Sequence, residues 1–274
     1  MSVNKLGIST VGGFDLPVEE QLPLIAKVGF EAFFTGWGPD SDLKGWKKLG
    51  ESLGLEYDEV HSPFGRVNEI WTATERGMQS LQTMIDCLHA TADAEIPTMV
   101  VHPFTGNKHV EDLSVGLELY GRLIREAEGS GVQLAFENLE WFSYFKAIMD
   151  NFGHIPEVKF CWDNGHEHCY SPEIDYMAMY GDKLVCTHFH DNFGNTNPEV
   201  IHWIDDIHIL PFDGNDDFHV VMEKIRKSGF TGPLVFELGA GHHQGTNMRE
   251  VYAAMGAEGF LREAYKRAVR VRES

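Results

Sequence analysis

The feature that most constrains the fold of this chain is the alternation of short apolar runs with longer segments of helical periodicity. The apolar runs, each of a length that suits one strand, occur at residues 5–10, 31–37, 55–64, 97–104, 132–139, 158–166, 183–192 and 233–238. Segments with apolar residues at helical spacing lie at 18–28, 74–93, 110–129, 143–152, 173–180, 217–228 and 247–270. Strands that alternate with helices form a parallel sheet whose faces the helices cover. Eight strands that alternate with helices in about 250 residues predict a closed (β/α)8 TIM barrel, an α/β fold.

The competing architecture is an open, doubly wound sheet. That fold normally carries a glycine-rich phosphate-binding loop after its first strand. Here the corresponding stretch reads STVGGFD, which matches neither the dinucleotide-binding pattern nor the P-loop pattern. The sequence contains no linker or low-complexity segment that would divide it. We therefore expect one barrel domain over residues 1–274.

Charge and cysteine content narrow the classes of partner and compartment. The chain has 22 Lys and Arg against 42 Asp and Glu, a formal net charge of −20. A surface this acidic repels phosphate backbones and anionic membranes, so we do not expect a nucleic-acid partner.

The cysteines form no CxxC pair and are expected to be buried free thiols; they are Cys87, Cys161, Cys169 and Cys186. The N-terminus has no signal-like apolar stretch, and no window approaches about 18 apolar residues, so we expect a cytoplasmic protein without a membrane span.

Side chains that bind metal ions stand at or just beyond the ends of the predicted strands. They are His61, His102, Glu137, Asp163, His166, His188, Asp206, His208 and Glu237. The carboxyl ends of barrel strands meet on one rim, where the active sites of TIM barrels lie. A mixture of imidazole and carboxylate ligands without thiolate suits Zn, Mn, Fe or Co. Four carboxylates buried in one barrel mouth would be very costly without cations, and divalent ions resolve that conflict.

Each of these residues also has a plainer interpretation when it is taken alone. A single histidine at a strand end, such as His61, is often a hydrogen-bonded pocket residue, and a single glutamate often pairs with Lys or Arg. The occurrence of nine such residues on one rim favours a shared functional site over nine separate structural roles. His188 and His190 alternate along one strand and share a face, and only His188 is needed as a ligand.

Seven motifs resemble the xylose isomerase-like TIM-barrel superfamily, which includes endonuclease IV-type AP endonucleases and many sugar isomerases and epimerases. In chain order they are VHSPF, VVHPF, AFENL, CWDNGH, THFHDN, DIHILPFDG and PLVFEL. The resemblance extends over almost the whole chain and follows it strand by strand. It implies the barrel fold and a metal site, but its motifs do not specify the substrate.

The ketose 3-epimerase branch of this superfamily implies a single metal ion. By resemblance, its ligands would be Glu137, Asp163, His188 and Glu237. The two glutamates would also act as acid and base on opposite faces of the substrate, and His166 would contact the sugar. The chain departs from this branch after the histidine of strand seven, where the epimerases usually carry an arginine and this sequence reads FHDNFGN.

The endonuclease IV branch implies three zinc ions. By resemblance, it adds five ligands to the epimerase set: His61, His102, His166, Asp206 and His208. The endonucleases also carry basic, DNA-gripping loops, whereas residues 192–215 of this chain contain no Lys or Arg. This difference argues against recognition of a phosphate backbone.

These observations predict a metal-dependent isomerase or epimerase that acts on a small carbohydrate: a sugar, sugar phosphate or cyclitol. Glu137 and Glu237 would exchange a proton through an enediolate, with one to three Zn or Mn ions as cofactor. Trp37, Trp71 and Trp141 follow predicted strands and could either form an apolar wall against a sugar ring or serve ordinary loop packing. Two alternatives stay open: a multi-zinc phosphoesterase of the endonuclease IV type, and a non-catalytic barrel that binds sugar or metal. The resemblance also allows a homo-oligomer.

Overall fold

The wall of the molecule is a sheet of eight parallel strands. The strands are β1 (Leu6–Ser9), β2 (Ala32–Gly36), β3 (Glu56–His61), β4 (Thr98–Val101), β5 (Gln133–Glu137), β6 (Val158–Asp163), β7 (Leu184–His188) and β8 (Leu234–Phe236). They occur in a computed structural model that describes residues 4–106, 109–197, 203–241 and 246–274. Their order around the wall is β7-β6-β5-β4-β3-β2-β1-β8.

The wall closes between β7 and β8. The backbone N–H of Phe189 donates to the carbonyl of Val235 at 2.9 Å, and Phe189 pairs in parallel with Phe236. The backbone N–H of Val235 also donates to the Thr187 hydroxyl at 3.0 Å. The predicted (β/α)8 TIM barrel is therefore confirmed.

Nine α-helices in the described part of the chain cover this wall. They are α1 (Val18–Val28), α2 (Leu43–Ser52), α3 (Glu75–Asp93), α4 (Ser114–Ala127), α5 (Phe142–Phe152), α6 (Asn164–Tyr170), α7 (Tyr176–Tyr180), α8 (Phe218–Ser228) and α9 (Met248–Arg272). Helix α1 covers the predicted range 18–28 and is capped by Gly29, whose φ of 116° suits glycine. No helix within the described residues combines the length and apolarity that a bilayer crossing requires.

Two local differences separate the structure from the sequence pattern. Strand β6 ends at Asp163 and not at residue 166, because the Asp163 carboxylate accepts from the backbone N–H of His166 at 2.7 Å and caps helix α6. Helices α2 and α6 have no counterpart among the predicted helical ranges. In α2, Leu43, Trp46 and Leu49 do recur at helical spacing, but the helix is only ten residues long and contains Gly45 and Gly50, which are poor helix formers.

The alternation of side chains along each strand determines which residues face the helices and which face the inside of the barrel, where the candidate site lies. The large core between sheet and helices takes one set of side chains, among them Leu134 and Phe136 of β5. The intervening residues form a separate buried cluster inside the barrel: Val100, Ala135, Cys161 and Cys186. Since side chains two residues apart share a face, Glu137 and Asp163 also point inside, at the carboxyl end. The cysteines are buried and free, as expected.

Candidate metal centre

The structure brings all nine predicted rim residues together at the carboxyl end of the barrel. Four of them are the last residues of their strands: His61, Glu137, Asp163 and His188. His102 and Glu237 follow β4 and β8 directly, and His166 lies in the first turn of α6. Asp206 and His208 come from the loop after β7 and line a rim cavity together with His61 and Glu237.

A central group consists of Glu137, Asp163, His188 and Glu237, whose ligand atoms all lie within 4.8 Å of one another. His188 Nδ1 is 3.2 Å from Glu137 Oε1 and 3.3 Å from Glu237 Oε2. Glu137, Asp163 and His188 have no exposed side-chain surface, whereas Glu237 is 26% exposed. Glu237 is therefore the most accessible member of this group.

A second group shares Glu137 with the first and adds His61 and His102. Glu137 Oε2 lies 3.0 Å from His102 Nε2 and 3.5 Å from His61 Nε2. His61 Nδ1 lies 2.9 Å from the carbonyl of Ser62, which can only accept, so this nitrogen carries the proton. The other ring nitrogen, Nε2, then presents its lone pair to the cluster. We call these residues the shared-glutamate group.

A third group is rich in histidine and includes a residue to which the sequence analysis gave no role. His166, Asp206 and His208 meet here as the resemblance implies, and His190 joins them. His166 Nε2 is 3.0 Å from Asp206 Oδ2, and His208 Nε2 is 3.1 Å from Asp206 Oδ1. The alternation of His188 with His190 is the sequence signal for this position. We call these four residues the histidine-rich group.

Glu59 is a second residue that sequence reasoning missed. Its side chain is fully buried, and Oε1 lies 2.9 Å from His188 Nε2. A carboxylate in this position accepts the Nε2 proton and leaves His188 Nδ1 free to face the central group. Glu59 lies two residues before His61 on β3 and shares its face, so strand alternation was the available signal.

The carboxylates and imidazoles of the site shift one another's pKa values towards the charged forms. Burial raises the pKa of Glu137, but the charges of His188 and His102 lower it well below its ordinary value. Burial lowers the pKa of His188, but the charges of Glu137 and Glu237 raise it well above its ordinary value. Burial also lowers the pKa of His208, but the charge of Asp206 raises it to about 10. Without a metal ion, the carboxylates therefore hold protons on the imidazoles of His188 and His208.

The site also contains buried polar atoms that lack hydrogen bonds to any described residue, among them Asp163 Oδ2, Asp206 Oδ1 and His190 Nε2. Buried polar atoms are normally satisfied, because an unmade hydrogen bond costs about 1–3 kcal/mol. Carboxylate oxygens and imidazole nitrogens are ligands that divalent transition metals accept. The donor set and its unsatisfied atoms thus fit divalent ions.

The rim opens into two cavities beside these groups. One of about 460 Å³ is lined by His61, Asp206, His208 and Glu237. The other, of about 380 Å³, is lined by many of the same side chains and by aromatic residues, namely Phe64, Tyr170 and Trp203. Phe64 and Trp203 are 48% and 59% exposed. These cavities are of a size that suits a small organic ligand.

The three tryptophans predicted as a sugar-facing wall do not line either cavity. Trp71 is 1% exposed and belongs to the large core, where its indole N–H donates to the Pro103 carbonyl at 2.7 Å. Trp37 and Trp141 pack against the same core. Of the two interpretations that the sequence left open, a sugar-facing wall and ordinary packing, the structure supports packing for these tryptophans. Within the described residues, Trp203 is the tryptophan whose side chain is largely exposed and lines one of the cavities.

Comparisons with known proteins agree with this architecture. A family model described as xylose isomerase-like TIM barrel matches residues 22–262. The protein y4fM of Sinorhizobium fredii is 26% identical over 268 residues, an alignment that covers 82% of each protein.

Solved structures show the same fold at lower identity. The IolI protein with a bound zinc atom has a TM-score of 0.79 at 17% identity, with 98% of each chain covered. D-Psicose 3-epimerase with D-tagatose, from Clostridium cellulolyticum H10, has a TM-score of 0.74 at 16% identity, again with 98% of each chain covered. At such identity the structural likeness establishes the fold alone. The family model, in contrast, matches well over half of the residues. The chain therefore belongs to the xylose isomerase-like TIM-barrel family.

Proposed function

We propose that this protein is a metal-dependent isomerase or epimerase of a small carbohydrate. The observation that carries the proposal is the convergence of two glutamates on one imidazole nitrogen, with Glu137 at 3.2 Å and Glu237 at 3.3 Å from His188 Nδ1. One of these carboxylates opens to a cavity and the other is buried behind it. D-Psicose 3-epimerase shares this fold, and its structure contains a ketose sugar, which supports a carbohydrate substrate here.

The central group would hold the ion through Glu137, Asp163, His188 and Glu237. A divalent ion bound there supplies Lewis acidity, which makes the C–H beside a substrate carbonyl more acidic. Glu237, at the cavity wall, is the group positioned to remove that proton and form an enediolate. Glu137 is proposed as the second carboxylate, which returns a proton to the substrate.

The cavity supplies the remaining contacts. Phe64 and Trp203 present exposed rings that suit the apolar face of a sugar. His166 was predicted to orient a substrate hydroxyl. Its Nδ1 lies 2.9 Å from the Asn138 carbonyl and its Nε2 lies 3.0 Å from Asp206 Oδ2, so protein groups occupy both ring nitrogens. This geometry favours His166 as a metal ligand over a direct contact with substrate.

Proton transfer can be tested even while the product is unidentified. The protein would be stripped of metal, reloaded with Mn²⁺ and incubated with a panel of aldoses and ketoses in D₂O. Proton NMR then reports deuterium that enters the carbon beside the carbonyl. The wild-type protein should exchange at least one sugar, and Glu237→Gln should exchange it about 10²–10⁴-fold more slowly.

The matched control is Glu223→Gln, a charge-removing change on the exposed face of α8, where Glu223 pairs with Lys227. It should exchange at the wild-type rate. The proposal fails if no sugar in the panel exchanges, or if Glu237→Gln exchanges as fast as the wild type. Sugar binding without exchange in either protein would instead support the non-catalytic binder.

One observation favours a second candidate, a multi-metal phosphoesterase. Glu137 offers Oε1 to the central group and Oε2 to His102 at 3.0 Å, so one carboxylate serves two adjacent donor sets. A bridging carboxylate of this kind is suited to a pair of ions that act on an in-line displacement. Hydrolysis of a small phosphodiester by the zinc-loaded protein, together with no sugar exchange, would favour this candidate.

A further inference from the structure

The cavity of about 380 Å³ extends across the mouth of the barrel. Part of its wall is Glu237, which follows β8. Another part is formed by Gly106, which comes after β4, and by Glu140, which comes after β5. Strands β4 and β8 stand on opposite sides of the barrel, because they are separated by three strands in either direction around the wall. A ligand in this cavity can therefore contact Glu237 at one end and Glu140 at the other.

Glu140 is a carboxylate held in a fixed position in this wall. Its side chain is 7% exposed, and its Oε1 accepts a hydrogen bond from the backbone N–H of Gly106 at 2.9 Å. The indole N–H of Trp141 donates to the carbonyl of the same glycine at 2.7 Å. The loops after β4 and β5 are thus tied together at Gly106, and one oxygen of the carboxylate is used in doing so.

The other oxygen of Glu140 has no partner. Oε2 is buried, and no described residue donates a hydrogen bond to it. Burial raises the pKa of Glu140, and the N–H of Gly106 offsets this only in part. A buried carboxylate is ordinarily paired with a cation or fully hydrogen-bonded, because the protein otherwise bears the cost of removing it from water. A hydroxyl group of a ligand in the cavity would supply the missing donor.

We propose that Glu140 binds a hydroxyl group at the end of the substrate opposite Glu237, and so selects a sugar or cyclitol that is not phosphorylated there. This inference rests on the proposed isomerase or epimerase activity. Among the described residues, Glu140 belongs to none of the candidate metal groups, so a bound ion would not neutralise it as it would Glu237. A phosphate ester in its place would bring a charge of about −1.5 to −2 against this carboxylate.

The rest of the cavity wall suits the same kind of ligand. Phe64, Tyr170 and Trp203 line it. Aromatic rings pack against the apolar face of a sugar and leave its hydroxyl groups to polar neighbours. A hydrogen bond to a charged acceptor such as Glu140 contributes about 10–100-fold to affinity. Glu140 would therefore affect the binding of the substrate and its orientation, whereas proton transfer is assigned to Glu137 and Glu237.

Deuterium exchange by the Mn²⁺-loaded protein tests this selection. The sugar that exchanges fastest is compared with its own phosphate ester at the carbon farthest from the carbonyl, for example D-fructose with D-fructose 6-phosphate. The free sugar should have a kcat/KM at least about 10-fold higher. Glu140→Gln should raise KM for the free sugar about 10-fold or more and change the rate at saturation by less than about 3-fold. The matched control is Glu128→Gln, an exposed glutamate after α4, which should keep both constants.

A phosphate ester that exchanges as fast as the free sugar overturns the proposal, and so does an unchanged KM in Glu140→Gln. If that variant does not fold, the comparison of the two substrates with the wild-type protein decides.

A binding measurement separates this inference from the proposed activity. If no sugar exchanges, the isomerase proposal fails, and calorimetry of the Mn²⁺-loaded protein with D-sorbitol and myo-inositol, which have no carbonyl, decides the role of Glu140. Binding of either polyol that weakens about 10-fold or more in Glu140→Gln, but not in Glu128→Gln, supports a hydroxyl-binding site. Equal affinity in the wild type and Glu140→Gln, or no binding of either polyol to the wild type, overturns it.

Discussion

Raising the pH should destabilise the metal-free protein, because His208 holds its proton more tightly in the folded chain than in the unfolded one. Burial lowers the pKa of His208, but the charge of Asp206 raises it to about 10, against an ordinary value of 6.5. A group with a raised folded pKa contributes its full stability below the unfolded pKa and loses it as the pH rises towards the folded value. The loss therefore falls between about pH 6.5 and pH 10.

The size of the effect follows from proton linkage. Within that window the folded chain holds one more proton than the unfolded chain, so the free energy of unfolding falls by about 1.4 kcal/mol per pH unit. From His208 alone, the loss between about pH 7 and about pH 9 is roughly 2–3 kcal/mol. His166 and His188 should steepen it. Burial lowers the pKa of both, but the charges of Asp163 and Glu137, respectively, raise it well above the ordinary value.

The assay is urea unfolding of the chelator-treated protein at the two pH values, followed by far-UV circular dichroism. Asp206→Asn removes the charge that raises the pKa of His208, so its free energy of unfolding should fall less steeply with pH. Asp182→Asn, in the segment that precedes β7 at the opposite end of the barrel, is the matched control and should keep the wild-type slope. A wild-type protein equally stable at both pH values would refute this account of the site's charges.

Two further predictions concern single side chains. Glu137→Gln should abolish turnover while the circular dichroism stays native, because Glu137 serves both the central and the shared-glutamate groups; retained sugar isomerisation would contradict its assigned role. Gly165→Ala should lower the free energy of unfolding by about 1–3 kcal/mol, because its Cβ would overlap the His190 ring. Gly38→Ala, whose Cβ would have no atom within 4 Å, is the control, and equal urea midpoints for the two variants would show that the protein accommodates a methyl group beside His190 without loss of stability.

The barrel was predictable because both of its signals are local. Apolar runs mark the strands and helical spacing marks most of the helices, so the order of elements follows from the sequence. Helix α2 was not predicted because it is short and contains Gly45 and Gly50, although its apolar residues recur at helical spacing. The end of β6 was misplaced because Asp163 caps a helix, a role that depends on backbone geometry.

The candidate site was predictable to the extent that its histidines and carboxylates stand at strand ends. His61, Glu137 and His188 could be placed on one rim because parallel strands all end at the same face. Glu59 and His190 were not assigned because their roles depend on contacts across the barrel, from β3 to β7 and from β7 to α6. The exposed position of Trp203 also depends on tertiary structure, since its loop shows no regular periodicity.

A count of metal ions per chain cannot by itself separate an isomerase from a phosphoesterase, because the histidine-rich group could hold an ion in either enzyme. Two ions would then fit either activity, one in the central group and one in the histidine-rich group. The discriminating position is the shared-glutamate group, where His61 and His102 face Glu137 Oε2. An ion there would sit beside the central one on a bridging carboxylate, which is the arrangement that phosphoryl chemistry uses. The location of the ions therefore decides the chemistry, and their number does not.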